Sequence, residues 1–367
     1  MKYPALLPVA DVLSCLHEYD SIIDVRSESE FALDHLPGAI NCPVLHDDER
    51  VQIGTLYKQT GAFEAKKIGA ALVARNIAAH LQHAFTDKPR EWKPLVYCWR
   101  GGNRSGAMAH ILAKIGWPAI QLDGGYREYR RSVLSQLNTA PLALNFRVIC
   151  GTTGSGKSRL LASLANQGAQ VLDLEQLAAH RGSVLGDLPD APQPSQKMFE
   201  SRIWQQLRSF TSTRPVYVES ESRKIGKLRV PEKLMEKIRA SDCIHLQTST
   251  AHRVALLMED YPHLVVNTDT LMNQLSHLLA LHGHETIRHW QAMADKRQIA
   301  QLVEALLTGH YDPAYLRSIG KNFSGYAQAP ALVLEDISAA AFSSAACQLL
   351  EDAMANRSQL LDNETVV

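Results

Sequence analysis

One cysteine lies in a sequence context that would make its sulfur a nucleophile. The segment LVYCWRGGNRSGAMAHIL (95–112) predicts a strand, a tight loop with two glycines and a helix, and Cys98 lies at the end of the strand. The glycines allow backbone angles that turn successive N–H groups inward, while the helix N-terminus and two arginines add positive charge. Because these groups favour a thiolate over a thiol, we predict that Cys98 is a thiolate nucleophile. The supporting residues of this thiol loop (residues 98–105) are Arg100, Gly101, Gly102, Arg104 and Ser105.

A second loop has the pattern of a phosphate-binding site. The segment GTTGSGKS (151–158) fits G-x-x-x-x-G-K-[ST], a strand pattern precedes it and a helix pattern follows it. We expect the backbone N–H groups of this phosphate loop to bind a di- or triphosphate, Lys157 to reach its terminal phosphates and the Ser158 hydroxyl to meet a magnesium ion. The residues of this predicted diphosphate site are Gly151, Gly154, Ser155, Gly156, Lys157 and Ser158.

Acidic and basic residues follow the next two strand patterns. An acid at a nearby strand end would orient magnesium, and Asp173 and Glu219 are both candidates, with neither decisive. His180 and Arg181 could hold an anion or a base, but they fit a helix cap and turn equally well. Arg223 follows the strand that ends near Glu219, so acid and base lie side by side there.

The elements that must position these loops have an α/β pattern. Short apolar runs alternate with helical periodicity, which is typical of parallel sheets. The predicted strands of the first part are 21–25, 94–99 and 119–125, and those of the second part are 146–150, 170–174, 215–220, 243–247 and 331–336.

The same pattern gives the domain boundaries. We predict a first domain at 9–138, a linker with an interrupting proline at 139–145, and a second α/β domain at 146–350. Residues 250–318 have helical periodicity and few strand signals, so they are expected to form a helical insertion. Residues 351–367 are expected to form a polar, frayed tail.

Composition excludes several classes of protein. The 367 residues carry 38 basic and 38 acidic side chains, which excludes a generally polycationic nucleic-acid coat. No apolar run approaches the ~20 residues that span a bilayer, and the N-terminus makes a poor secretory signal. The six cysteines include no C-x-x-C pair, so neither a zinc cluster nor a disulfide framework is predicted. We therefore expect a cytoplasmic protein, monomeric by default.

The charged side chains balance over the whole chain, but they are unevenly distributed along it. Residues 197–239 contain eleven basic and five acidic side chains, a net charge of +6. A solvated helical face is the ordinary interpretation of such a run, and a surface that follows nucleic-acid phosphates is the alternative. The charge alone leaves both open.

The first part of the chain resembles the rhodanese superfamily. Besides the thiol loop, the segment 22–44 resembles that family's first motif, in which Asp24 and Arg26 would brace the active loop, and LDGGYREY (122–129) resembles its closing motif. Five residues separate Cys98 from Arg104, one more than in ordinary sulfur-transfer loops and the same number as in cysteine-dependent phosphatases. The loop length leaves open whether the substrate is a phosphoester or a selenium donor.

The order of motifs over residues 10–340 resembles the tRNA 2-selenouridine synthase family. The motifs are CWRGGNRS, then GTTGSGKS, then DLEQLAAHRGS, then ESESRKIG. The resemblance implies a rhodanese-like parallel-sheet domain followed by a P-loop NTPase-like α/β domain. It also implies conversion of 2-thiouridine to 2-selenouridine at wobble position 34 of the tRNAs for Lys, Glu and Gln. Geranyl diphosphate would first alkylate the sulfur, and selenophosphate would then replace the geranylthio group, with Cys98 carrying selenium as a selenyl adduct.

These implications define the expected ligands and the alternatives. No cofactor is expected to bind tightly, magnesium would meet Ser158, and selenophosphate would arrive free or from its synthetase. We expect both loops to serve one uridine in a basic cleft to which residues 197–239 contribute, with salt-sensitive tRNA binding. Trp99 and Tyr126 are candidates for stacking on the base, although both could be core residues. A cysteine phosphatase with a regulatory nucleotide domain and a nucleotide-switched sulfur-relay protein are the alternative functions.

Overall fold

Each of two units of the chain is built on one parallel β-sheet. The first unit comprises Met1–Leu137 and Pro194–Gln205, and the second comprises Asn138–Gln193 and Gln206–Val367. This computed structural model describes residues 3–183, 186, 188, 191–262, 268–276 and 278–364. The predicted α/β class with parallel sheets is confirmed.

The first sheet places Cys98 at the end of its central strand. Its order is β1-β5-β4-β2-β3 and all pairs are parallel, with Asp24 of β2 opposite Tyr97 of β4. All four residues of β4 are buried, as expected for a strand covered on both faces. The strands are β1 Ala5–Leu7, β2 Ser21–Asp24, β3 Ala39–Asn41, β4 Pro94–Tyr97 and β5 Ile120–Leu122.

Helices of the first unit pack on this sheet around a core that includes Ile23, Val96 and Met108. The start of the second helix has a capping box, in which the Glu30 side chain accepts a hydrogen bond from the Ser27 backbone N–H. The helices are α1 Val9–Ser14, α2 Glu28–Leu33, α3 Asp47–Gln59, α4 Ala62–His83, α5 Asn103–Ile115 and α6 Gly125–Thr139, with a 3₁₀ turn at Leu16–Glu18.

The second sheet places the phosphate loop at the end of its central strand. Its order is β12-β11-β6-β8-β7, again all parallel, and a two-stranded antiparallel hairpin, β9-β10, lies outside it. The strands are β6 Asn145–Cys150, β7 Gln170–Leu172, β8 Pro215–Glu219, β9 Lys224–Ile225, β10 Leu228–Arg229, β11 Asp242–Thr248 and β12 Ala331–Leu334.

The rest of the second unit is largely helical. The described residues of the segment 250–318 are mainly helical and have an apolar core of their own, which includes Leu275, Trp290 and Leu302. The α-helices that follow α6 along the chain are α7 Lys157–Asn166, α8 Leu174–Ala178, α9 Gln196–Ser209, α10 Glu232–Arg239, α11 Thr250–Asp260, α12 Thr268–Ser276, α13 Leu279–Asp295, α14 Ile299–Leu306, α15 Asp312–Asn322 and α16 Ala339–Glu364. A π turn lies at Leu307–Tyr311, and 3₁₀ turns lie at Ala140–Ala143 and Tyr326–Gln328.

At α9 the chain passes from the second unit back into the first. Most of this helix belongs to the first unit, where the buried Trp204 packs edge-on against Tyr129 at 5.5 Å and donates a hydrogen bond to Gln136 Oε1 at 2.9 Å. The basic segment 197–239 is therefore divided between the two units. At the other end of the chain, the residues expected to form a polar tail continue α16 as far as Glu364.

Gly125, the first residue of α6, gives a test of how the thiol loop is held in place. Gly125 has a φ of +59°, and a Cβ on it would lie 2.3 Å from the Cys98 carbonyl oxygen. We expect Gly125→Ala to lose about 1–2 kcal/mol from the left-handed backbone and about 1–3 kcal/mol more from the steric clash. Gly38→Ala is the matched control, because Gly38 has a φ of +75° and nothing within 4 Å of the added atom. Thermal unfolding of the full chain should show a clearly lower Tm for Gly125→Ala, and equal Tm values for the two variants would contradict this account.

Candidate active sites

The thiol loop surrounds Cys98 with hydrogen-bond donors and left-handed glycines. Cys98 is buried directly after β4, and its sulfur accepts a hydrogen bond from the Ser105 hydroxyl at 3.3 Å. Gly101 and Gly102 have φ values of +68° and +73°, so the chain can turn sharply before α5 begins at Asn103. The arrangement places a thiol at the N-terminus of a helix, where backbone N–H groups and the helix dipole attract an anion.

Neighbouring elements fix both ends of this loop. The Gln121 amide, in the middle of β5, donates hydrogen bonds to the Gly102 carbonyl and to the Ser105 hydroxyl, both at 3.1 Å. The backbone N–H of Tyr126 donates to the Cys98 carbonyl at 2.8 Å, and that of Arg127 donates to the Trp99 carbonyl at 3.0 Å. The first turn of α6 therefore holds the start of the thiol loop.

The two arginines of the thiol loop have different surroundings. Arg104 donates a hydrogen bond to the Glu30 carboxylate at 3.0 Å, whereas Arg100 is exposed. Burial would raise the pKa of Glu30, but the hydrogen bond and charge of Arg104 outweigh it and lower that pKa below its usual value. Glu30 therefore stays charged and orients the Arg104 guanidinium beside the loop.

Asp24 and Arg26 form a buried brace under the loop. Arg26 donates to both carboxylate oxygens of Asp24, with a shortest distance of 2.6 Å, and to the Asp34 carbonyl at 2.7 Å. Its guanidinium carbon lies 4.0 Å from the centre of the Tyr126 ring. Tyr126 is thus a core residue that packs on the brace, and of the two candidates for base stacking only Trp99, with 37% exposed surface, lies at the surface.

Asp34 is a buried residue of this unit that sequence reasoning missed. Its carboxylate accepts hydrogen bonds from the Tyr126 hydroxyl at 2.8 Å and from the Ser201 hydroxyl of α9 at 3.0 Å. Burial raises the pKa of Asp34 above its usual value. These bonds connect α9 to the closing motif of the thiol-loop unit.

The phosphate loop has the backbone of an anion cradle. Gly154 and Gly156 have φ values of +79° and +87°, and α7 begins at Lys157. A Cβ on Gly151 would lie 2.5 Å from the Ser155 hydroxyl, so the loop is too tightly packed there for another residue. The Lys157 ammonium donates to the Gly151 carbonyl at 2.8 Å, which keeps its charge across the mouth of the loop.

Two side chains from the helical part hold the phosphate loop from behind. The buried Arg253 of α11 donates to the Thr153 carbonyl at 2.9 Å and makes a two-bond ion pair with Asp312, at 2.6 and 3.0 Å. The hydroxyl of Tyr315 in α15 accepts a hydrogen bond from the Gly151 N–H at 2.7 Å. The helical insertion therefore shapes the phosphate loop directly, which its sequence pattern does not reveal.

A carboxylate cluster, formed by Glu175, Glu219 and Glu221, lies beside the phosphate loop. Ligand oxygens of the three residues lie within 4.8 Å of one another, and the Ser158 hydroxyl donates to Glu175 at 3.3 Å. Both oxygens of the buried Glu219 have no hydrogen-bond partner among the described residues. Three oxygen ligands near the Ser158 hydroxyl, one of them unsatisfied, fit a magnesium ion, which prefers oxygen ligands and bound phosphate.

Burial and mutual repulsion disfavour charge in this cluster. Burial first, and then the negative charge of Glu221, raise the pKa of Glu175 to about 8. Burial and the charge of Glu175 hold the pKa of Glu219 well above its usual value, and burial raises that of Glu221. Burial and like charge therefore favour the protonated forms of these carboxyl groups, whereas a bound cation would favour their charged forms.

The remaining residues predicted near the phosphate loop do not form one cluster. Asp173 accepts a hydrogen bond from the Gln176 N–H at 2.8 Å and so caps α8. The buried His180 accepts one from the Gly182 N–H at 3.0 Å, and the Arg181 guanidinium lies 5.0 Å from the Tyr261 ring centre. Arg223 is exposed. Of the two acids predicted to orient magnesium, the structure brings only Glu219 into the cluster.

An open cavity of about 460 Å³ adjoins the phosphate loop and the carboxylate cluster. This volume exceeds what a diphosphate and its cation require. Besides those residues, its lining includes Arg181, Arg239, Tyr261 and Tyr315. Burial lowers the pKa of Arg239 first, and the nearby charge of Arg223 lowers it further.

Comparison with known proteins decides the family. The family described as tRNA 2-selenouridine synthase AAA domain matches residues 144–284, and the rhodanese-like domain family matches residues 9–132. A tRNA 2-selenouridine synthase of Bdellovibrio bacteriovorus is 31% identical over 81% of this chain and 88% of its own length, and one of Marinobacter nauticus is 31% identical over 80% and 87%. This chain belongs to the tRNA 2-selenouridine synthase family.

A further relative supports the same assignment over a shorter stretch. The tRNA 2-selenouridine synthase of Nitrosomonas europaea is 37% identical over 68% of this chain, and the match spans 66% of that relative. The members are named as synthases, so the family is one of enzymes. Among the described residues, no helix is both long and apolar enough to cross a membrane.

Glu175 and Glu221 belong to the carboxylate cluster, but sequence reasoning did not predict them as site residues. Each lies two residues beyond an acid that was predicted, in the segments DLE and ESE. The sequence leaves open which acids of such a pair turn toward the loop: in DLE only the second joins the cluster, whereas in ESE both do. The signal was therefore present, but only the backbone direction after β7 and β8 shows that the second acid of each pair joins the cluster.

The pKa of Glu175 gives a test by pH. Because its folded value of about 8 lies above its ordinary value of 4.5, the stability that its protonated form contributes is complete below 4.5 and is lost as pH rises through 8. Glu175→Gln removes this charge, so the Tm of the variant minus that of the wild type should increase between about pH 5 and about pH 8.5. Magnesium should stabilise the wild type at the higher pH more than the variant.

Glu304→Gln is the control, because Glu304 is exposed on α14. Its Tm difference from the wild type should stay constant over the same pH range in calorimetry of the full chain. A Tm difference for Glu175→Gln that stays constant or decreases with rising pH would show that the carboxylate cluster is not protonated in the folded protein.

Proposed function

We propose that this protein modifies tRNA by converting 2-thiouridine to 2-selenouridine at wobble position 34, through geranylation and then selenation. The observation that carries the proposal is that one chain of the synthase family contains two different anion-binding loops, and only the first contains a thiol. Such a pair can serve two chemically distinct steps on one nucleoside. The substrates would be tRNA, geranyl diphosphate and selenophosphate, with no tightly bound cofactor.

The first step is assigned to the phosphate loop. The thione sulfur attacks C1 of geranyl diphosphate, the C–O bond breaks, and diphosphate leaves with the electron pair while N3 of the base loses its proton. The leaving group gains negative charge, which Lys157 and the N–H groups of the phosphate loop would stabilise. The carboxylate cluster and Ser158 would hold magnesium, which would neutralise the diphosphate further. Hydrolysis of a nucleotide is not required.

The second step is assigned to the thiol loop. Alkylation makes the geranylthio group a leaving group, so selenium can enter at C2 as the C–S bond breaks and geranylthiolate departs. Cleavage of the P–Se bond of selenophosphate by water yields orthophosphate. The helix N-terminus at α5, with Ser105 and Arg104, suits a small tetrahedral anion beside Cys98. We assign Cys98 to this selenation step, as the thiol beside which selenophosphate binds and releases its selenium.

The hairpin β9-β10 supports binding of an RNA. Arg223, Lys224 and Lys227 are exposed on and before this hairpin. Exposed cations close together are what phosphates attract, and binding of this kind weakens as salt rises. Lys197 and Arg202 of α9, in contrast, lie on the segment that belongs to the first unit, and Arg208 lies in the second.

Two substitutions separate the steps. Lys157→Ala should reduce geranylation by about 10²-fold or more, because the leaving diphosphate loses its cation. Cys98→Ser should leave geranylation intact and stop selenation, so that tRNA with S-geranyl-2-thiouridine accumulates. Mass spectrometry of nucleosides from thiolated tRNA, incubated with each full-length variant and both donors, measures the two products.

Matched controls are the exposed residues Lys66 and Cys347. Lys66→Ala and Cys347→Ser should retain both activities. If Cys98→Ser abolished both products while its circular dichroism stayed unchanged, the division of labour would be wrong. Rapid Cys98-dependent hydrolysis of p-nitrophenyl phosphate would instead favour the phosphatase, which the spacing between Cys98 and Arg104 also suits.

A further inference from the structure

A second, apolar cavity adjoins the phosphate loop within the same unit. It has a volume of about 60 Å³, and every residue that lines it is uncharged. Its walls come mainly from α11, α14 and the π turn at Leu307–Tyr311. The residues that carry the argument are Leu257, Met258, Tyr261, Leu302, Val303 and Leu306.

The apolar cavity shares wall residues with the phosphate-binding cavity. Thr153 of the phosphate loop, Leu257 of α11, Tyr261 directly after α11, and Tyr311 of the π turn line both. The two cavities are therefore adjacent, and a ligand with its diphosphate on the phosphate loop has the apolar cavity beside it. Together, the polar and the apolar cavity are complementary to a molecule with an anionic head and a hydrocarbon tail.

The lining of the apolar cavity argues against a nucleoside in it. A base and a ribose carry several hydrogen-bonding groups, and each one buried without a partner costs about 1–3 kcal/mol. Eight of the lining side chains are Leu, Ile, Val or Met, which offer no such partners. A hydrocarbon chain needs none, and burying it stabilises the complex by about 0.8 kcal/mol per CH₂ group.

We propose that the apolar cavity binds the isoprenoid chain of a prenyl diphosphate whose diphosphate lies on the phosphate loop. This inference rests on the proposed function, because it assigns the place of the geranyl tail at that same site. At about 10–15 Å³ for each water-sized group, the cavity holds about four to six such groups. That number matches the five carbons of one isoprene unit, so the distal unit of a geranyl chain fills the cavity and the proximal unit lies toward the phosphate loop.

The walls have features suited to a chain of limited length. Leu302 and Leu306 line the cavity from buried positions on α14, whereas Val303 and Met258 are half-buried. The π turn that follows α14 shifts the helix register and brings Tyr311 to the shared wall; such turns are frequent at functional sites. A larger side chain at 303 would shorten the cavity, and a smaller one at 258 would lengthen it.

Calorimetric titration of the full chain with geranyl diphosphate and with inorganic diphosphate tests the inference without any turnover. The wild type should bind geranyl diphosphate at least about tenfold more tightly than diphosphate. Val303→Phe should remove most of that difference while the Kd for diphosphate stays within about twofold of the wild type. Val333→Phe is the matched control, because Val333 is exposed on β12 and outside the cavity, and it should bind both ligands as the wild type does.

A second variant, which should enlarge the cavity instead of filling it, keeps the test valid if Val303→Phe folds poorly. Met258→Ala lengthens the cavity and should improve binding of farnesyl diphosphate relative to geranyl diphosphate by about tenfold. Equal affinity of the wild type for geranyl diphosphate and diphosphate, or unchanged affinities in both variants, would overturn the assignment of this cavity. Geranyl transfer to tRNA by the same wild-type preparation would show that the proposed function nevertheless holds, and its absence would count against the function itself.

Discussion

The structure depends on how a chain turns from a parallel strand into a helix. At the end of β4 and again at the end of β6, glycines with positive φ let the backbone reverse and point its N–H groups at one place, and a helix N-terminus adds its dipole there. The two junctions differ in what they present. The first holds the sulfur of Cys98, and the second holds the ammonium of Lys157 across its mouth. The same backbone geometry thus presents a thiol at one site and an ammonium at the other.

Each junction is kept in place by charge buried elsewhere in its unit. In the first unit, the Asp24–Arg26 pair and Asp34 support the closing motif that hydrogen-bonds to Cys98. In the second, the Arg253–Asp312 pair holds the Thr153 carbonyl. The carboxylate cluster is the opposite case, since its three acids repel one another and Glu219 lacks partners among the described residues. That repulsion favours a bound cation and gives the site its dependence on pH.

Sequence reasoning predicted the features that have a local signature. Apolar runs gave eight of the twelve described strands, and glycines at fixed spacing gave both loops, because such patterns follow from burial and from backbone geometry. The short strands β1 and β3 and the hairpin β9-β10 were not predicted. Features that depend on distant packing were missed. Arg253 reaches Thr153 only because α11 packs beside the phosphate loop, and Asp34 meets Ser201 only because α9 returns to the first unit. The participation of Glu175 and Glu221 depended on the backbone direction after two strands.

The central claim is that alkylation at the phosphate loop must precede selenium entry at the thiol loop. Thiolated tRNA and selenophosphate can be incubated with the full-length wild-type protein, with and without geranyl diphosphate, and the nucleosides followed over time by mass spectrometry. The account predicts that S-geranyl-2-thiouridine appears first and declines as 2-selenouridine forms, and that omitting geranyl diphosphate prevents both. Formation of 2-selenouridine at an equal rate without geranyl diphosphate would contradict it.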